Sequence, residues 1–150
     1  MRFGGPLIAA LWLLGLASRA EAASPAEIAA GLAPEVIAVV SGGKWQEGDR
    51  NGGYRAVLVA PAGAVGAQLY IEWLAAGANG GAPSMVATVP VKEVNDLRLP
   101  NATLSAESET DNQFTVFVES DDPATQSGNS YTVNAAAPGK YTFSLGAPPE

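Results

Sequence analysis

From Glu35 onward the chain consists of short apolar runs, most of them alternating, each ended within a few residues by glycine, proline or a polar cluster. Apolar side chains at every second position gather on one face of an extended strand, whereas a helix needs them three and four apart. The runs fall at residues 36–40, 53–60, 66–74, 84–91, 94–99, 102–107, 113–119, 130–134 and 140–145. About eight or nine short strands, with no long helical period, predict an all-β domain over residues 35–150. A small β-sandwich is the expected architecture and a small β-barrel the alternative.

Individual runs carry more detail. Residues 36–40 (VIAVV) are continuously apolar, which predicts a strand covered on both faces. Pro90 places its run at a sheet edge or a bulge. Pro138-Gly139 predicts a tight turn between the last two strands. Pairing residues 53–60 with 66–74 through a loop at 62–65 sets Tyr54 opposite Trp73, Ala56 opposite Ile71 and Leu58 opposite Leu69. The other face of that hairpin pairs Arg55 with Glu72, Val57 with Tyr70 and Val59 with Gln68. A one-residue slip would spoil both faces, so pattern and register support each other.

The first part of the chain reads differently. Met1-Arg2 precedes an apolar stretch at 7–17, too short to cross a bilayer, which takes about 20 residues. Ala20-Glu21-Ala22 then puts small residues where a signal peptidase reads them. Residues 1–22 are therefore expected to be a cleaved signal peptide, and residues 23–34 a leader, either flexible or a short helix. Ser24, Pro25 and Glu27 match a helix start with a capping box. This reading predicts a periplasmic or secreted protein with no membrane span after cleavage.

Composition excludes several chemistries. The 150 residues include no cysteine and no histidine. Disulfides, Ser-His-Asp and Cys-His machinery, and the usual zinc, copper, haem and iron–sulfur ligands are ruled out. Eight basic residues stand against fifteen acidic ones, a balance unsuited to a nucleic-acid surface. No glycine-rich phosphate loop opens a helix, and no cofactor is expected.

Carboxylates remain. Glu72 and Glu93 lie in or beside apolar runs, and a carboxylate-based glycan hydrolase would need such a pair facing across a cleft. The plainer expectation is a cross-strand ion pair of Glu72 with Arg55 and a solvated turn around Glu93. Residues 47–52 (EGDRNG) imitate the start of a calcium loop, with Glu47, Asp49 and Asn51 as oxygen ligands. Leu58 occupies the position where such a loop needs a bidentate glutamate, and Asn51-Gly52 is also a hairpin-turn dipeptide. Trp73 falls on the apolar face of the hairpin. Trp45 is expected in a satellite of the core or partly exposed beside Tyr70 and Arg55, where a sugar or peptide would stack.

Four elements recur in a definite order: Gly42-Gly43-Lys44-Trp45, Gly53-Tyr54-Arg55, Leu69-Tyr70-Ile71-Glu72-Trp73 and Glu93-Val94-Asn95. Over residues 41–96 the chain resembles a group of uncharacterised exported bacterial proteins with a GGxW, GxYR, LYxxW and EhN-like series, h being apolar. The resemblance implies a periplasmic or secreted location and no particular activity. Glu72 stands here where that series is expected to carry glutamine. Taken together, the sequence predicts a non-enzymatic binding or structural module of the cell envelope, its partner an envelope protein or a glycan. The candidate surface comprises Trp45, Tyr54, Arg55, Tyr70, Glu72, Glu93 and Asn95. A carbohydrate-binding module and a glycan hydrolase are the alternatives.

Overall fold

The computed structural model describes residues 24–63, 65–108, 112–122 and 127–146. The expected signal peptide lies outside them. The chain divides after Leu32. On the N-terminal side of that division is one short helix, α1 (Pro25–Ala30). Its capping box forms as the residues foretell: the Glu27 backbone N–H donates to the Ser24 hydroxyl, and the Ser24 N–H donates to the Glu27 carboxylate. This hydrogen bonding holds the Glu27 carboxyl below its ordinary pKa. Gly31 ends the helix.

The rest is a β-sandwich of eight strands. Sheet A contains β1 (Val36–Glu47), β2 (Arg50–Val59), β3 (Gln68–Ala75) and β4 (Ser84–Pro90) in that spatial order. Sheet B contains β5 (Ala102–Glu107), β6 (Phe114–Asp122), β7 (Ser127–Ala135) and β8 (Tyr141–Gly146), again in chain order. Every pairing is antiparallel. Neither sheet closes on itself, so the barrel alternative falls. Tyr54, Ala56 and Leu58 of β2 and Leu69, Ile71 and Trp73 of β3 meet Phe114, Val116 and Val118 of β6 and Val133 of β7 in one core. The β2–β3 register is the one the apolar pattern predicts, from Tyr54 opposite Trp73 to Val59 opposite Gln68. The connection is longer than expected, because Ala60 and Ala67 leave the ladder. Ala60 donates to the Glu35 carbonyl and Ala67 to that of Leu99.

Three expectations fail for physical reasons. The run at 36–40 is not covered twice: β1 is an edge strand, and Ile37 and Val39 are 50% and 41% exposed. Asn51-Gly52 is not the β1–β2 turn. Glu47 pairs with Arg50, so the turn is Gly48-Asp49, with Gly48 at φ 60°. Residues 94–99 do not form a strand; Lys92–Leu97 is a helix, α2. Val91 and Val94, three apart, are both buried, and Lys92 pairs with Asp96 four residues on, at the spacings of a helix. Pro90 ends β4 at the sheet edge, as expected, while the bulge lies elsewhere, opposite Trp73 and Leu74.

Helix α2 leads from β4 to β5, and its side chains finish both sheets. Once β4 has ended, the Asn95 side chain takes the place of a strand. Its Oδ1 accepts from the Leu69 N–H at 2.7 Å and its Nδ2 donates to the Leu69 carbonyl at 3.3 Å. Asn95→Ala removes both bonds and leaves a half-buried N–H unpaired, which should cost about 1–3 kcal/mol of stability. The expected readout is a lower urea midpoint at unchanged slope; an unaltered midpoint would mean that water replaces the amide.

Candidate functional site

Three of the four large aromatic side chains in the sequence elements, Trp45, Tyr54 and Trp73, point inward. Tyr54 and Trp73 are neighbours across the β2–β3 ladder, edge to face at 6.2 Å, and Tyr54 stacks on Phe114 of the other sheet at 5.5 Å. The Tyr54 hydroxyl and the Trp73 Nε1–H both donate to the Ala136 carbonyl, each at 2.9 Å. Ala136 precedes the Pro138-Gly139 turn between β7 and β8, which forms as predicted with Gly139 at φ 78°.

Trp45 is also buried, at 1% exposure, and its Nε1–H donates to the Gly53 carbonyl. It does not stand beside Tyr70 and Arg55. Simple alternation puts it on their face, but the β1–β2 register shifts by one residue between Gly42 and Trp45. The extra residue turns Trp45 over into the core. Gly43 makes the shift sterically feasible, with φ 61° and a hypothetical Cβ only 2.8 Å from the Gln113 carbonyl.

Of the seven residues singled out in the sequence, three share one surface. Arg55, Tyr70 and Glu72 lie on the outer face of sheet A. The Arg55 Nε–H donates to Glu72 at 2.5 Å, the expected cross-strand pair, and the Tyr70 hydroxyl donates to Gln68. Tyr54 and Trp45 are in the core. Glu93 and Asn95 lie on α2, where Glu93 accepts from the Tyr141 hydroxyl of β8 at 2.8 Å. Glu93 is therefore a helical residue tied to sheet B; it is exposed in the connection, which is a helix and not a turn. Glu72 and Glu93 thus serve separate partners on separate elements. At the hairpin tip, Glu47 is paired with Arg50, and among the described residues no three acidic side chains come together.

What the sequence reading missed is a cleft at the β1–β2–β3 end of sheet A. Gly42, Gly43, Gly52 and Gly53 line a space of ≈ 620 Å³ whose apolar wall is Leu74, Ala75, Ala76 and Pro83. A smaller space of ≈ 320 Å³ shares Lys44, Asn51 and Gly52 with it and adds Trp45, Gln46 and Asn112. Among the described residues, Lys44 is the one charged residue lining either space. It makes no ion pair among the described residues, whereas Arg50, Arg55 and Lys92 each hold a carboxylate. The glycines are not equivalent. A side chain at Gly42 or Gly43 would strike the segment around β6, and one at Gly52 would meet the Leu74 carbonyl at 1.8 Å. Gly53 has no such neighbour: a Cβ there would touch only the Gly43 carbonyl, at 3.5 Å, and its φ is not positive. Glycine inside a strand costs about 0.5–1 kcal/mol. Nothing in the packing requires it at 53. Facing glycine pairs at 42–43 and 52–53 were the available signal, legible once the β1–β2 hairpin is drawn.

In comparisons with known proteins, no protein-family model, curated protein or solved structure matches the chain.

Two tyrosines titrate abnormally. Burial pushes Tyr54 above the ordinary phenol pKa; burial, followed by the hydrogen bond to Glu93, does the same for Tyr141. The unfolded chain releases these protons near pH 10. The folded protein therefore binds more protons above that pH, so stability is intact below it and falls as pH rises further. Phenolate absorbance should show a late-titrating group that Tyr54→Phe removes. An ordinary titration of all the tyrosines would contradict the packing described for the core.

Proposed function

We propose that the protein is an exported, non-enzymatic β-sandwich that binds a component of the cell envelope through the glycine-lined cleft. Gly53 carries this reading: neither backbone geometry nor packing demands glycine there, and any side chain would occupy the cleft. The basic start, the apolar stretch at 7–17 and Ala20-Glu21-Ala22 support export. The resemblance over residues 41–96 supports it as well.

The alternatives find less support. A hydrolase working through Glu72 and Glu93 would need both carboxylates free to face one bond, yet Glu72 is engaged by Arg55 and Glu93 by Tyr141. A glycan module using Trp45 as a stacking platform would need an exposed indole, and Trp45 is buried. Glycan recognition through the side-chain amides at the cleft remains compatible with the reading.

Two measurements test it. Protein recovered from outside the cytoplasm should begin at Ala23; a product retaining Met1 would overturn export as described. Immobilised envelope extract should retain the wild-type protein. Gly53→Val, which fills the cleft, should abolish retention, and Thr132→Ala on the outer face of sheet B should leave it unchanged. Equal retention of all three proteins would remove the cleft from the function.

A further inference from the structure

The cleft reading can be taken to a class of ligand, and the inference rests on that reading. Three features decide it. First, in a chain of net charge −7, Lys44 forms no ion pair among the described residues, and no described acidic residue lines either space beside it. At physiological ionic strength charges farther than about 8 Å are largely screened, so a bound group senses the charges within that distance, Lys44 among them. Second, the smaller space is lined by three residues with carboxamide side chains, Gln46, Asn51 and Asn112, of which Gln46 also donates from Nε2 to the Gly48 carbonyl. Side-chain amides both donate and accept, which suits vicinal hydroxyl groups. Third, the wall from Leu74 to Pro83, with Gly53 beside it, is apolar and suits the C–H face of a ring.

The backbone around the cleft is already committed. Gly52 is laddered to both Trp45 and Ala75, the Lys44 carbonyl accepts from Asn112, and the Gly53 carbonyl accepts from Trp45. The Ala76 N–H donates to the Asn51 carbonyl. A peptide that binds by adding a strand needs unpaired backbone, and the backbone groups named here are already paired. A neutral sugar held by stacking needs an exposed aromatic face, and both Trp45 and Tyr54 are 1% exposed.

We infer that the cleft binds an acidic saccharide, a sugar ring bearing a carboxylate, with the carboxylate at Lys44, hydroxyls on the amides and the ring face against the Leu74 wall.

The experiment is an NMR titration of the purified protein with trigalacturonate, its methyl ester and triglutamate. The ester keeps every hydroxyl and removes only the charge, while the peptide keeps the charge and removes the ring. Trigalacturonate is expected to shift the amide signals of Lys44, Gln46, Asn51 and Gly53 saturably. The ester and the peptide should each bind at least about tenfold more weakly, and Lys44→Gln should weaken trigalacturonate by about tenfold, the scale of one charge-assisted hydrogen bond. Lys44 is exposed, so that variant tests binding without threatening the fold. Absence of saturable shifts, equal binding of the ester, tighter binding of triglutamate, or indifference to Lys44→Gln would each overturn the proposal. Any of these alongside Gly53-dependent retention on envelope extract would overturn only the ligand class. Loss of that retention too would overturn the cleft as a binding site.

Discussion

Tyrosine and tryptophan bury more apolar surface than most side chains, but each brings a donor that costs about 1–3 kcal/mol if buried without a partner. In this sandwich that requirement sets how the sheets meet. Tyr54 and Trp73 are fixed side by side by the β2–β3 register, so their two donors converge on one point, the Ala136 carbonyl in the β7–β8 connection. A carbonyl oxygen has two lone pairs and can serve both. The aromatic pair thereby specifies which turn of sheet B lies over which rung of sheet A, something nondirectional apolar contact would not do. The Tyr54–Phe114 stack fixes the same relation from the side of β6.

The four sequence elements then divide cleanly by role. Gly42 and Gly43 let β1 pass close to the start of β6, Trp45, Tyr54, Leu69 and Trp73 fill the core, Val94 joins it from α2, and Asn95 completes the ladder beside β3. Nearly everything conspicuous in the sequence is spent on the fold. The features left over are quiet ones: a lone lysine, three amides, and a glycine that packing does not need.

That division explains what was legible beforehand. The β2–β3 register could be read because two faces of a hairpin had to agree at once, apolar on one side and Arg55 with Glu72 on the other. The α1 capping box and the Pro138-Gly139 turn could be read because local chemistry fixes them. Trp45 could not be placed, because a single bulge reverses the face of every residue beyond it, and the bulge depends on contact with Gln113 and Phe114, far along the chain. Helix α2 reads as a strand because Leu97 and Leu99 mimic alternation over so short a span, whereas the burial of Val91 and Val94 that reveals the helical spacing is a tertiary fact. The cleft was invisible for the same reason: it is made from missing side chains on two strands whose hairpin turn falls three residues before the Asn51-Gly52 dipeptide.

In both sheets the strands lie in the order in which they occur along the chain. Each sheet is thus assembled by closing short loops between consecutive strands, and the entropy lost in each closure is small. Only the meeting of the two sheets joins distant residues. The first four strands can therefore pair without the rest of the chain, presenting Tyr54 and Trp73 on an uncovered apolar surface. Strands β6 and β7 cover that surface, and the turn that follows them brings the acceptor the two aromatic donors require.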